Sequence, residues 1–175
     1  MDEERELLRH FLAALAYRTQ KALRGAPSDF GTFAADAPGV RSPIRLLRHM
    51  TSVLGYARTF FVGGQYRPDP LPSLEEEVLR FHDMLEDLAQ HLRRGSPLLQ
   101  GMSAKRLLQG PFADAMTHAG QLALLRRLAG APVAPENFIV ADVDTERHGP
   151  RQSDPVSPDT TWPEAPPGWL PPSRS

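Results

Sequence analysis

The sequence predicts an all-α fold: four amphipathic helices forming a bundle, followed by a proline-rich extended arm. Three observations predict it. Apolar residues recur at helical spacing in four separate stretches. Each stretch is bounded by start and stop signals for a helix. Ten of the eighteen prolines fall after residue 130, which excludes long helices from that part. A length of 175 residues suffices for one domain with an ample core and a tail. The division expected is a bundle over residues 1–132 and an arm over residues 133–175 packed on it.

The first helix is expected over residues 2–24. Asp2, Glu3, Glu4 and Glu6 crowd its start, where negative charge suits the helix dipole. Leu7, Leu8, Phe11, Leu12, Leu15, Ala22 and Leu23 form its apolar stripe, with Arg18 snorkelling at the edge. Gly25 and Pro27 stop it. Phe30 and Phe33 then read as anchors of a linker over residues 25–41. The second helix opens with Ser42 as cap and Pro43 in the first turn, and runs to Val62 before Gly63-Gly64. Leu46, Leu47, Met50, Val53, Leu54, Ala57, Phe60 and Phe61 make its apolar arc. His49 lies inside that arc, with Tyr56 two turns on, while Arg45, Arg48, Thr51, Ser52 and Thr59 lie opposite.

The third helix starts at Ser73, with Glu76 at the capping-box spacing, and stops at Gly95. Its seam is Leu74, Val78, Phe81, Leu85, Leu88 and Leu92. His82 sits at the margin of the seam, a candidate cavity residue, and His91 reads as solvated. Ser103 caps a short turn over residues 104–109, ended by a break at Gly110-Pro111. The fourth helix is expected from Pro111 to Ala129, with Gly130 as C-cap and Pro132 beyond. Leu122, Leu125 and Leu128 centre its apolar face, and Arg126 and Arg127 fall on the other side.

Asp114, His118 and Gln121 share that apolar face, at spacings of four and three. A carboxylate and an imidazole therefore point inward, which is costly unless they are paired or hold a metal. Asp-x-x-x-His lets both side chains reach one ion; the alternative is that they hydrogen-bond each other or a neighbouring helix. His49 is a second inward histidine. In the arm, Phe138, Ile139, Val140 and Trp162 are the expected contacts, His148 reads as a loop residue, and the last residues are expected to be mobile or held by a neighbouring chain.

Composition narrows the function. There are 20 basic and 21 acidic residues, so no global basic field favours nucleic acid. The absence of cysteine excludes disulfides, thiolate metal sites and a cysteine nucleophile. No signal-like segment and no apolar run of membrane-spanning length is present, so a cytoplasmic protein without membrane contact is expected.

Two stretches carry a family resemblance. Arg-His-Met-Thr-Ser-Val-Leu-Gly-Tyr-Ala in the second helix and Asp-Ala-Met-Thr-His-Ala-Gly-Gln-Leu-Ala-Leu-Leu-Arg-Arg-Leu-Ala-Gly in the fourth resemble the DinB/YfiT-like superfamily. The resemblance covers roughly residues 3–138. It implies an up-down-down-up four-helix bundle, in which members typically hold zinc or nickel through one histidine of helix 2 and a His-x-x-x-His pair of helix 4. Carried onto this chain, the ligands are His49, Asp114 and His118. Asp114 departs from the pattern by replacing an imidazole, yet a carboxylate also ligates zinc, iron or manganese. Gln121, Tyr56 and His82 are the expected supporting or pocket residues. Relatives imply a metal-dependent thiol S-transferase or hydrolase of stress response or detoxification, acting on a small molecule with a low-molecular-weight thiol, and a homodimer. The alternative is a non-catalytic metal-binding, stress-inducible interaction protein.

Overall fold

A computed structural model of the chain describes residues 2–159 together with Trp162 and Ala165. Trp169 and the final residues of the arm lie outside the described residues. The described chain is all-helical: α1 (Glu3–Leu23), α2 (Pro43–Val62), α3 (Leu74–Arg93), the short α4 (Ala104–Leu107) and α5 (Ala113–Leu128). Among the described residues, extended pairing is confined to one isolated bridge between Glu136 and Pro158.

The ends of the helices follow their local chemistry. The Asp2 side chain accepts from the Glu4 N–H at 3.2 Å, and acidic residues fill the first turn of α1. Pro43 occupies the first turn of α2, where no N–H is needed. Ser73 and Glu76 form the reciprocal capping box of α3. Gly63, Gly95 and Gly130 follow the ends of α2, α3 and α5 with positive φ. α1 and α2 each pack against α3 and α5. The core between them includes Leu12, Leu15, Leu47, Met50, Leu54, Phe81, Leu85, Leu88 and Leu122, all without solvent exposure.

Several expectations are corrected. The chain does not break at Gly110-Pro111; a widened π turn, Leu108–Phe112, joins α4 to α5. Pro111 has no N–H to donate, and in a regular helix its ring would strike the carbonyl four residues earlier. An extra residue in the turn relieves both. Leu7 and Leu128, expected in the core, are 65% and 56% exposed. Thr51 is buried rather than on a polar face, because its hydroxyl bonds back to the Leu47 carbonyl at 3.0 Å. Arg126, expected outside, is buried. It donates to the carbonyls of Ala22, Arg24 and Gly25 at the end of α1, and to that of Ala131.

Residues 133–159 lie over α1 and reach α3. Lys21 donates to the Ala134 carbonyl at 2.6 Å, and Tyr17 to Glu136 at 2.6 Å. Arg24 holds Asp154 and the carbonyls of Gln152 and Ser153. Glu146 pairs with both Arg9 of α1 and Arg93 of α3. Phe138 and Trp162 are contacts as expected, under the guanidiniums of Arg18 and Arg127. Ile139 and Val140 are exposed instead, 93% and 49%. They sit in a three-residue turn whose inward side is taken by Phe138. His148 is no surface loop residue: it is buried against α3, with Nδ1 3.1 Å from Glu86. His91 is only partly solvated, since its ring stacks on Phe61.

Candidate metal centre

His49 is carried by the second turn of α2, and Asp114 and His118 by successive turns of α5. These two helices pack together, so the three side chains meet. One donor atom from each lies within 4.8 Å of the other two. The His49 and His118 rings are edge to face, 4.8 Å between centroids. His118 Nε2 is 3.4 Å from Asp114 Oδ1. That separation is longer than a good N–H···O hydrogen bond. It matches two donors at ~2.1 Å from one ion, which would subtend an angle of about 108° there, close to tetrahedral.

A hydrogen bond fixes the tautomer. His118 Nδ1 lies 2.8 Å from Gln121 Oε1, so Nδ1 carries the proton and donates it. The lone pair is then on Nε2, facing Asp114. Holding an imidazole from its far nitrogen is the usual second contact of a metal-binding histidine. Burial pushes the His49 pKa below its ordinary value, and the charge of Arg41 adds to this, against the opposing pull of Asp114. His49 is therefore neutral at pH 7, the form able to ligate.

Two nitrogens and one carboxylate oxygen suit zinc, iron, nickel or manganese in chemical type. The 4.8 Å spread is wider than the ~4.2 Å that two ~2.1 Å bonds can span, so a small rotation must close the set around an ion. His49, half-exposed, has room to make it. The donor set thus fits a divalent ion in type and number.

The surroundings differ from the expected core site. His118 is buried, but Asp114 and Gln121 are exposed, and Asp114 borders an open cleft. The cleft measures about 730 Å³ and is walled by His49, Ser52, Val53 and Tyr56 of α2, by Gln109, Gly110 and Pro111 of the π turn, and by Asp114 and Thr117 of α5. Tyr56 is 57% exposed and packs on Phe60 at the wall of the cleft, neither a core aromatic nor remote from the site. His82 is a correction. It lies buried under the arm, with Nδ1 2.6 Å from the His148 carbonyl and Nε2 3.3 Å from Gln20, and it does not line the cleft. Ser52, expected on the face opposite His49, lines the cleft beside it, and Thr117 lines it without having been expected there. Each is three residues from a proposed ligand and so shares its helix face, a signal that spacing alone could have raised.

No protein-family model, curated protein or solved structure matches the chain.

Proposed function

We propose that the chain is a DinB-like protein, with its four long helices in up-down-down-up order, that binds a divalent ion through His49, Asp114 and His118. We further propose that it uses the ion to transform a small molecule by thiol S-transfer or hydrolysis. The observation that carries the reading is the meeting of three donors from α2 and α5 at the wall of an open cleft. Three protein donors leave a coordination position free, the arrangement of reactive rather than purely structural sites. When bound, such an ion would supply Lewis acidity, bringing the pKa of a water that joins it towards ~7 and holding a thiol that joins it as the thiolate.

The side chains divide the remaining work. Gln121 holds the His118 ring and its tautomer. The Asp114 carboxylate offsets part of the cation's charge. Tyr56 Oη, exposed at the cleft wall, donates a hydrogen bond to the substrate, and Val53 and Pro111 give the substrate apolar contact. A role limited to bracing the helices is favoured less, because two of the three donors, His49 and Asp114, line the cleft.

Metal content of the purified protein tests the proposal, measured by mass spectrometry for wild type and His118→Ala after incubation with zinc, nickel, iron or manganese. Near-stoichiometric metal in wild type that disappears in the variant is expected. Wild-type protein that stays empty with all four metals would sink the reading, and so would a variant that loads like wild type.

A further inference from the structure

A second cavity lies on the other side of α5, away from the candidate metal centre. It measures about 320 Å³ and lies, half-open, between α1, α5 and the arm. That volume is at the lower end for small-molecule sites. Its floor is apolar and shallow in side chains: Ala22 of α1, with Ala119, Gly120 and Ala123 of α5. A Cβ at Gly120 would meet no atom within 4 Å, so the floor is open there.

The charges around this cavity do not balance. Lys21 on its wall is paired with the buried carboxylate of Glu136 at 3.5 Å. Arg18 and Arg127 also line it, and among the described residues neither guanidinium has a hydrogen bond or a carboxylate partner. Both are held in place by aromatic residues of the arm. Arg18 lies 3.8 Å over the Phe138 ring, and Arg127 5.7 Å over the Trp162 ring. Phe138 is itself set edge-on against buried Tyr17. Stacking fixes a guanidinium through its face and leaves its N–H groups free at the edge.

We propose that this cavity is a binding site for a small organic acid, with the carboxylate held by Arg18 and Arg127 and a short hydrocarbon chain lying on the Ala119–Gly120–Ala123 floor. Two exposed guanidiniums that line one cavity, neither paired with a carboxylate among the described residues, offer it charge-assisted donors. The apolar floor selects the rest of the molecule, since a highly hydrated anion would gain nothing from it. Because the arm supplies the aromatic supports, the site exists only where the arm is docked.

Isothermal titration with octanoate, and with 1-octanol and octylammonium as charge controls, tests this on the full chain. Three proteins are compared: wild type, Arg18→Gln/Arg127→Gln, and Gly120→Leu. Saturable octanoate binding to wild type is expected, with the neutral and cationic analogues at least about tenfold weaker, as loss of a charge-assisted hydrogen-bond pair implies. The double variant should weaken octanoate to a similar degree, and Gly120→Leu should abolish binding by filling the floor. Leucine is the better helix former, so the thermal midpoint of Gly120→Leu should be no lower than that of wild type, separating occlusion from misfolding. Absence of octanoate binding in wild type would overturn the proposal. Equal binding of octanol, or unchanged octanoate binding in both variants, would do the same.

Discussion

Arg126 is a buried full charge with no carboxylate beside it among the described residues. Burial pushes its pKa down, yet a guanidinium starts so high that it stays charged. What compensates it is the end of α1. Nη1 donates to the carbonyls of Ala22 and Arg24 at 3.1 Å, Nη2 to Gly25 at 3.3 Å, and Nε to Ala131 at 2.8 Å. The last carbonyls of a helix have no partner of their own and carry its negative partial charge. One side chain thus caps α1 and fastens α5 to it. Arg126→Met would keep much of the packing but leave those carbonyls unpaired, and should lower stability by about 3 kcal/mol. Urea unfolding measures this. A loss under about 0.5 kcal/mol would mean that water takes over the carbonyls. His118 and Asp114 differ in the same way, by burial and by partners. The histidine is buried and oriented by Gln121, whereas the carboxylate stands 48% exposed and free to turn.

Helices are the scale at which the sequence was most legible. The starts of α2 and α3 were readable from Ser42-Pro43 and Ser73-x-x-Glu76, and the ends from Gly63 and Gly95, because these signals act on the nearest turn of backbone. The face of α5 was not. Its leucines are spread round the helix, and Leu124 and Leu128 are exposed while Leu122 and Leu125 are buried. Alanine and glycine fill the positions between, so periodicity does not single out one side. The arm covers a second side, which no local pattern could announce, and the polar side borders the cleft. The i, i+4 spacing of Asp114 and His118 was legible for the same reason that the caps were: it is local. The meeting with His49 was reached through the family resemblance, since it depends on two helices distant in sequence.

The loop after α2 depends on one position of that helix in a way that spacing does not reveal. The Tyr66 ring lies directly on Gly55: a Cβ there would be 2.1 Å from Cδ1 and 2.3 Å from Cγ. Alanine is the better helix former by about 1 kcal/mol, but here the ring would have to leave. Gly55→Ala should therefore destabilise by about 1–2 kcal/mol net. In a Tyr66→Ala background the sign should reverse, because only the helix preference remains. A double-mutant cycle by thermal unfolding checks both values. Additive effects would show that the ring and the helix do not meet.

At the scale of the whole molecule, the arm is a structural member rather than an appendage. Glu146 bridges Arg9 of α1 and Arg93 of α3, and His148 inserts beside Glu86. Beneath it, buried His82 donates from Nδ1 to the His148 carbonyl at 2.6 Å. Burial pulls the His82 pKa down to about 4, only partly opposed by that carbonyl and by Asp83, while His148 adds to the lowering. In the unfolded chain the same group titrates near its ordinary 6.5. Between these values the unfolded chain binds the extra proton and the folded chain resists it. The contribution is therefore complete above pH ~6.5 and lost as pH falls towards about 4. From pH 7 to 4.5 the loss assigned to this one residue is about 2 kcal/mol. His82→Gln keeps a side-chain donor for the carbonyl and cannot titrate, so its stability should fall less over that range by the same amount. Urea unfolding of both proteins at the two pH values reads the difference directly. Parallel losses would mean that His82 gains its proton without disturbing the arm, and that acid sensitivity arises instead in the carboxylates of the Arg9–Glu146–Arg93 bridge.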